Sequence, residues 1–181
     1  VWPQRHGVED NGLIFRDHSV KLLPEVLREA GYATGAFIGA YVLDARWGID
    51  RGFDAYDGRF DTEARRPSNV WTPERRAEDV AAAAAAWIRA QRGPFFAWVH
   101  FYDPHVPYDP PPPYRSQVPD QAYDGEIAYV DHVLGTLVAA LATSGQAANT
   151  LVIVTADHGE GLGDHGEKTH GIFLYQSTLR V

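Results

Sequence analysis

The chain has 181 residues, enough for one domain with a real core. Its formal charge of −8 argues against a nucleic-acid binder, which would show a basic face, and the absence of cysteine excludes disulfides and zinc–thiolate sites. No run reads as apolar enough to cross a bilayer; the longest weakly polar one, 80–88, is mostly alanine and too short. The chain holds no methionine, opens on Val1-Trp2-Pro3 and stops at Arg180-Val181, and is read as a piece truncated at both ends.

The opening, Val1 to Ser19, is polar and reads as loop, with a turn signal at Asp10-Asn11-Gly12. A helix is predicted over about Leu22 to Ala30, with Pro24 in its first turn and Gly31 placed to end it; Leu23, Val26, Leu27 and Ala30 make its apolar face. Ala33 to Ile38 reads as a short buried strand, and Tyr41 to Val70 as an ordered loop region that packs its aromatics down. Thr72-Pro73-Glu74 carries the marks of a helix start, and six consecutive alanines carry that helix to about Gln91, before Gly93-Pro94. Phe95 to Phe101 is apolar on both faces, as a buried parallel strand would be.

The proline-rich stretch Tyr102 to Pro119 follows that strand and reads as an active-site loop in preference to a polyproline ligand. Ile127, Val130, Leu134, Leu137, Val138 and Leu141 repeat at helical spacing within a helix predicted over about Tyr123 to Thr143. Thr150 to Thr155 reads as another buried strand, and Ala156 to Thr169 as a glycine-rich acidic loop. The alternation of helix, strand and loop predicts an α/β fold with a mainly parallel sheet flanked by helices. Ligands of such sheets bind beyond the carboxyl ends of the strands, so the loops starting at Tyr102 and Ala156 are expected to converge.

Asp157-His158 pairs a carboxylate, which suits hard cations, with an imidazole, which suits zinc or manganese. Gly159 is expected to let the backbone turn sharply behind them. Glu160, Asp164 and Glu167 read as solvated loop residues, whereas His170 precedes an apolar run and is placed to donate to an oxyanion or to ligate a second metal. His105 sits between Pro104 and Pro107, and a loop so stiffened holds an imidazole in one direction. His100 reads as a core histidine and His132 as a solvated one.

Four stretches carry a resemblance to the sulfatase branch of the alkaline-phosphatase superfamily. They are Leu23 to Thr34, Phe96 to Tyr108, Gly125 to Asp131, and Thr155 to Gly166, the last joined by Ser177-Thr178-Leu179-Arg180-Val181. The resemblance implies an alkaline-phosphatase/sulfatase-like fold and makes residues 1–181 part of a catalytic domain. It implies that Asp157 and His158 bind one divalent metal ion, calcium first, with manganese or zinc as alternatives. It implies that His105 and His170 contact the sulfuryl or phosphoryl oxygens, with Lys168 a nearby rival to His170. The family's nucleophile, in a Cys/Ser-x-Pro-x-Arg type segment, is expected upstream of Val1. Gly39-Ala40-Tyr41-Val42 stands where many members carry Gly-Lys-x-His, so phosphate and phosphonate esters join sulfate esters as candidate substrates. The expected partner is a small-molecule or glycan ester, with neither nucleic acid nor a membrane segment involved. A non-catalytic anion-binding member of the superfamily is the other reading.

Overall fold

A computed structural model describes residues 6–10, 13–17, 19–60 and 74–181. The turn read at Asp10-Asn11-Gly12 and the helix start read at Thr72-Pro73 therefore lie wholly or partly outside the described residues. The chain divides into two compact units, Val1–Gln146 and Ala147–Val181, each described by itself.

The first unit is built on a three-stranded parallel sheet in the order β2-β1-β3. Helix α1 (Leu23–Glu29) leads into β1 (Ala33–Ile38), and β2 is Ala55–Asp57. Helix α2 (Ala77–Ala90) then precedes β3 (Phe95–His100). A short helix α3 (Tyr114–Gln117) and the long α4 (Ala122–Thr143) complete the unit. Ala33 to Ile38 of β1 stand opposite Phe95 to His100 of β3 in unbroken register, and Gly35 to Phe37 pair with Ala55 to Asp57. The alanine run of α2 lets it approach both neighbours closely. Val80 and Ala84 pack on Phe37 of the sheet, while Ala77 and Ala81 meet Tyr129 and Val133 of α4. The opposite face of the sheet is aromatic, Phe53 stacking on Phe96 and Trp98 at 6.0 and 6.1 Å between ring centres.

Four expectations for this unit are corrected, the first being the loop region read over Tyr41 to Val70, which contains β2 because Ala55 to Asp57 pair with β1. Helix α2 starts at Ala77, because Glu74 bridges to Ala40 and the Arg75 N–H donates to the Gly39 carbonyl, which keeps residues 74–76 extended. The apolar side chains Leu23 and Val26 of α1 are exposed, and the residue that α1 buries is Pro24. Helix α4 buries Gly125, Glu126, Tyr129, Val133 and Leu141, leaving Ile127 and Val138 exposed. By length and composition alone α4 would pass for a membrane span, a weak signal that buried core helices give as well. Its packing on α2 accounts for part of that apolar character.

In the second unit, Thr150 to Thr155 forms no strand among the described residues, and Leu151 and Ile153 are 83% and 77% exposed. An apolar run acquires strand structure only where another strand accepts from its N–H groups and donates to its C=O groups, and among the described residues none is paired with it. The unit is otherwise turns, two single-turn 3-10 helices (Ala147–Asn149 and Asp164–Gly166) and the short helix α5 (Gln176–Leu179).

Candidate functional site

The loop that leaves the carboxyl end of β3 is fastened from two sides. The buried Asp103 carboxylate accepts the Ala77 N–H at 3.0 Å and lies 3.5 Å from the Arg76 guanidinium, so it caps α2, where the helix dipole favours an anion. Arg76 also reaches Asp109, at 2.7 Å to the carbonyl and 3.2 Å to the carboxylate. From α4, the Glu126 carboxylate accepts the N–H of His105 at 3.1 Å and of Asp109 at 2.7 Å. Burial pushes the Glu126 carboxyl up to about 7; the two N–H groups and Arg76 pull it down, and the nearby Asp103 pushes it up.

The His105 ring is held at both nitrogens. Nδ1 lies 2.7 Å from the Val106 carbonyl, which can only accept, so Nδ1 carries the proton of the neutral imidazole. Nε2 then accepts from the Tyr102 hydroxyl at 3.1 Å, and the two rings stack with centres 4.1 Å apart. His100 is half-buried at the end of β3.

In the second unit, Asp157 and His158 are exposed, and the same tautomer argument applies. His158 Nδ1 lies 2.8 Å from the Gly159 carbonyl, so in the neutral ring Nε2 is a lone pair, 3.8 Å from the Asp157 carboxylate. Cations bind such donors at about 2.0–2.5 Å, which suits two ligands so spaced. The donor set fits a divalent ion as part of a larger ligand set. Among the described residues no group of three or more His, Cys, Asp or Glu side chains is arranged to hold one. Gly159 acts differently from the expectation: its φ is not positive, and what it supplies is room, since a Cβ there would lie 2.2 Å from the Ser177 carbonyl oxygen.

His170 comes beside His158, with ring centres 4.0 Å apart, and its Nδ1 is 3.1 Å from the Glu160 carboxylate. The Glu160 side chain is only 6% exposed, and buried Glu167 accepts the N–H groups of Ile172 and Phe173, so neither is the solvated residue expected. Lys168 is exposed. Sequence reasoning also missed Glu126. Its one signal was a carboxylate beside Gly125 and three residues before Tyr129 in a helix otherwise rich in apolar residues.

The sulfatase family model matches residues 3–180, and the chain belongs to that family. It is 27% identical over 128 residues to an arylsulfatase of Clostridium perfringens, covering 49% of this chain and 26% of that one. It is 33% identical over 112 residues to the steryl-sulfatase of Mus musculus, covering 60% and 18%. Its fold is similar to that of a phosphonate monoester hydrolase of Agrobacterium radiobacter, with a TM-score of 0.74 at 20% identity, over 98% of this chain and 54% of that one. These matches therefore span about a quarter or less of the two sulfatases and about half of the solved hydrolase.

Proposed function

We propose that the complete protein is a metal-dependent hydrolase of sulfate esters, acting on a small-molecule or glycan ester. The observation that carries this reading is the pairing of the Asp157 carboxylate with a His158 ring whose Nε2 is left unprotonated by the Gly159 carbonyl. Asp157 and His158 would hold the divalent ion, calcium first among the candidates. Such an ion, when bound, lowers the pKa of a nucleophile and neutralises charge on the transferred group. His105 and His170 would stabilise the non-bridging oxygens or protonate the leaving group, with Lys168 as the alternative to His170; His105 would do so as the imidazolium, since the neutral ring directs its one proton to the Val106 carbonyl. His170 is suited to this by the Glu160 carboxylate at Nδ1, which helps to fix its ring. The attacking group belongs to a segment outside these 181 residues.

A phosphate or phosphonate ester is the second reading, favoured by the residues after β1. There Gly39-Ala40-Tyr41-Val42 brings no cation, and the nearby guanidinium of Arg46 lies over the Tyr41 ring at 4.7 Å. The test is hydrolysis of p-nitrophenyl sulfate, p-nitrophenyl phosphate and a phenyl phosphonate ester by protein expressed from its complete reading frame, before and after chelation. Sulfate-ester hydrolysis that disappears with the metal is expected. Faster turnover of the phosphorus esters would select the second reading, and no turnover of any ester would remove both.

A further inference from the structure

The deepest side chain near His105 is a carboxylate that the proposed chemistry does not use. Glu126 is 2% exposed and is among the largest fully buried side chains of the chain. A buried carboxylate is costly unless its oxygens are hydrogen-bonded, and each Glu126 oxygen takes one backbone N–H of the same short loop.

That loop has few backbone donors of its own. Residues 101–109 belong to no helix or strand, and Pro104, Pro107 and Pro110 offer no N–H. Between Pro104 and Pro110 the chain has four N–H groups, and the first and last of them, on His105 and Asp109, end on Glu126. The carboxylate thus closes residues 105–109 into a fixed arc. The Val106 carbonyl that orients the His105 ring lies inside the arc.

The helix is shaped to receive the arc. Gly125 is buried, and a Cβ there would lie 2.8 Å from the ring of Pro110. Only glycine lets Pro110 seat this close, and that seat brings Asp109 within reach of the next residue, Glu126.

We infer that Glu126 is the positioning residue of the substrate loop, aiming His105 at the ester oxygens by binding the N–H groups of His105 and Asp109 with one carboxylate. It acts through His105 and does not touch substrate. This rests on the role proposed for His105, but its structural half can be tested without it.

The experiment uses the protein from its complete reading frame. Backbone amide exchange at His105 and Asp109 is compared between the wild type and Glu126→Gln. The amide side chain keeps the volume but has one acceptor oxygen where the carboxylate had two. The expected result is faster exchange at one or both amides, with the protection of α2 and β3 unchanged. Hydrolysis of the preferred aryl ester is then measured in a double-mutant cycle with His105→Ala. Glu126→Gln alone should lower kcat by on the order of 100-fold, the usual effect of a misplaced reacting group, and should cost nothing further in the His105→Ala background. Unchanged exchange at both amides, or a loss that multiplies in full with that of His105→Ala, would overturn the inference. If His105→Ala leaves hydrolysis intact, the catalytic role of His105 falls, and the exchange at 105 and 109 alone decides whether Glu126 holds the loop.

Discussion

The loop of residues 102–109 and the loop of residues 156–170 both present histidines, yet they are held by opposite means. The first takes its support from distant parts of its unit: Glu126 of α4 grips its backbone, and its own Asp103 caps α2. The second is tied largely within itself, through Gly161 N–H to the Thr169 carbonyl and Gly163 N–H to the Glu167 carbonyl, both 2.8–2.9 Å. Its ends are backed by Gly159 N–H on the Thr178 carbonyl at 2.9 Å. His105 has both ring nitrogens engaged by protein, while the Asp157 side chain is 86% exposed. The first arrangement suits a group that must be aimed, and the second would suit the cation ligands proposed for Asp157 and His158.

The contrast is broken or sharpened by four changes. The largest effect is expected from Asp157→Ala in the complete protein. Loss of a bound metal worth several kcal/mol corresponds to about a thousandfold or more in kcat/KM. Elemental analysis should show the metal lost with the activity, and undiminished activity would end the assignment. His105→Ala should lower kcat/KM by roughly 100- to 1,000-fold, as removal of an oxyanion donor does, while metal content stays at the wild-type level. Metal lost from this variant would erase the distinction between the two loops.

The third change concerns pH. The folded Glu126 carboxyl keeps its proton up to about 7, whereas its ordinary value is 4.5. The folded state therefore binds more protons between those values, and stability must fall as pH rises from about 4.5 to 7, then level off. A shift of this size is worth about 3 kcal/mol. Urea denaturation of wild type and Glu126→Gln at pH 5 and pH 8 should show this slope in the wild type and its loss in the variant. The smallest effect belongs to Arg115→Ala. Its exposed pair with the Asp109 carboxylate should be worth no more than about 0.5 kcal/mol. A larger loss would mean that the Asp109 side chain shares the anchoring assigned to its N–H.

Much of the framework was legible. Ala33 to Ile38 and Phe95 to His100 are largely apolar runs, and both are parallel strands with the predicted limits to within a residue. What escaped depends on partners distant in sequence. Thr72-Pro73-Glu74 has the composition of a helix start, but the pairing of Glu74 and Arg75 with the Gly39-Ala40 backbone takes precedence over local propensity. Thr150 to Thr155 has the pattern of a buried strand, and pattern does not provide the second strand. Glu126, Glu160 and Glu167 were misjudged or missed for a common reason. A carboxylate reads as a surface residue until the N–H or imidazole that accompanies it inside is known. His105 was easier to place, because the end of β3 and two nearby prolines mark its position in the chain.

The bond between Asp103 and the first turn of α2 ties the near end of the loop to the core. The cap cannot leave without fraying that first turn, so Asp103 and residues 77–79 are expected to open together, whereas residues 105–109 can loosen while α2 holds. Substitutions of Asp103 would then lower folding stability, and those confined to residues 105–109 would leave it largely intact.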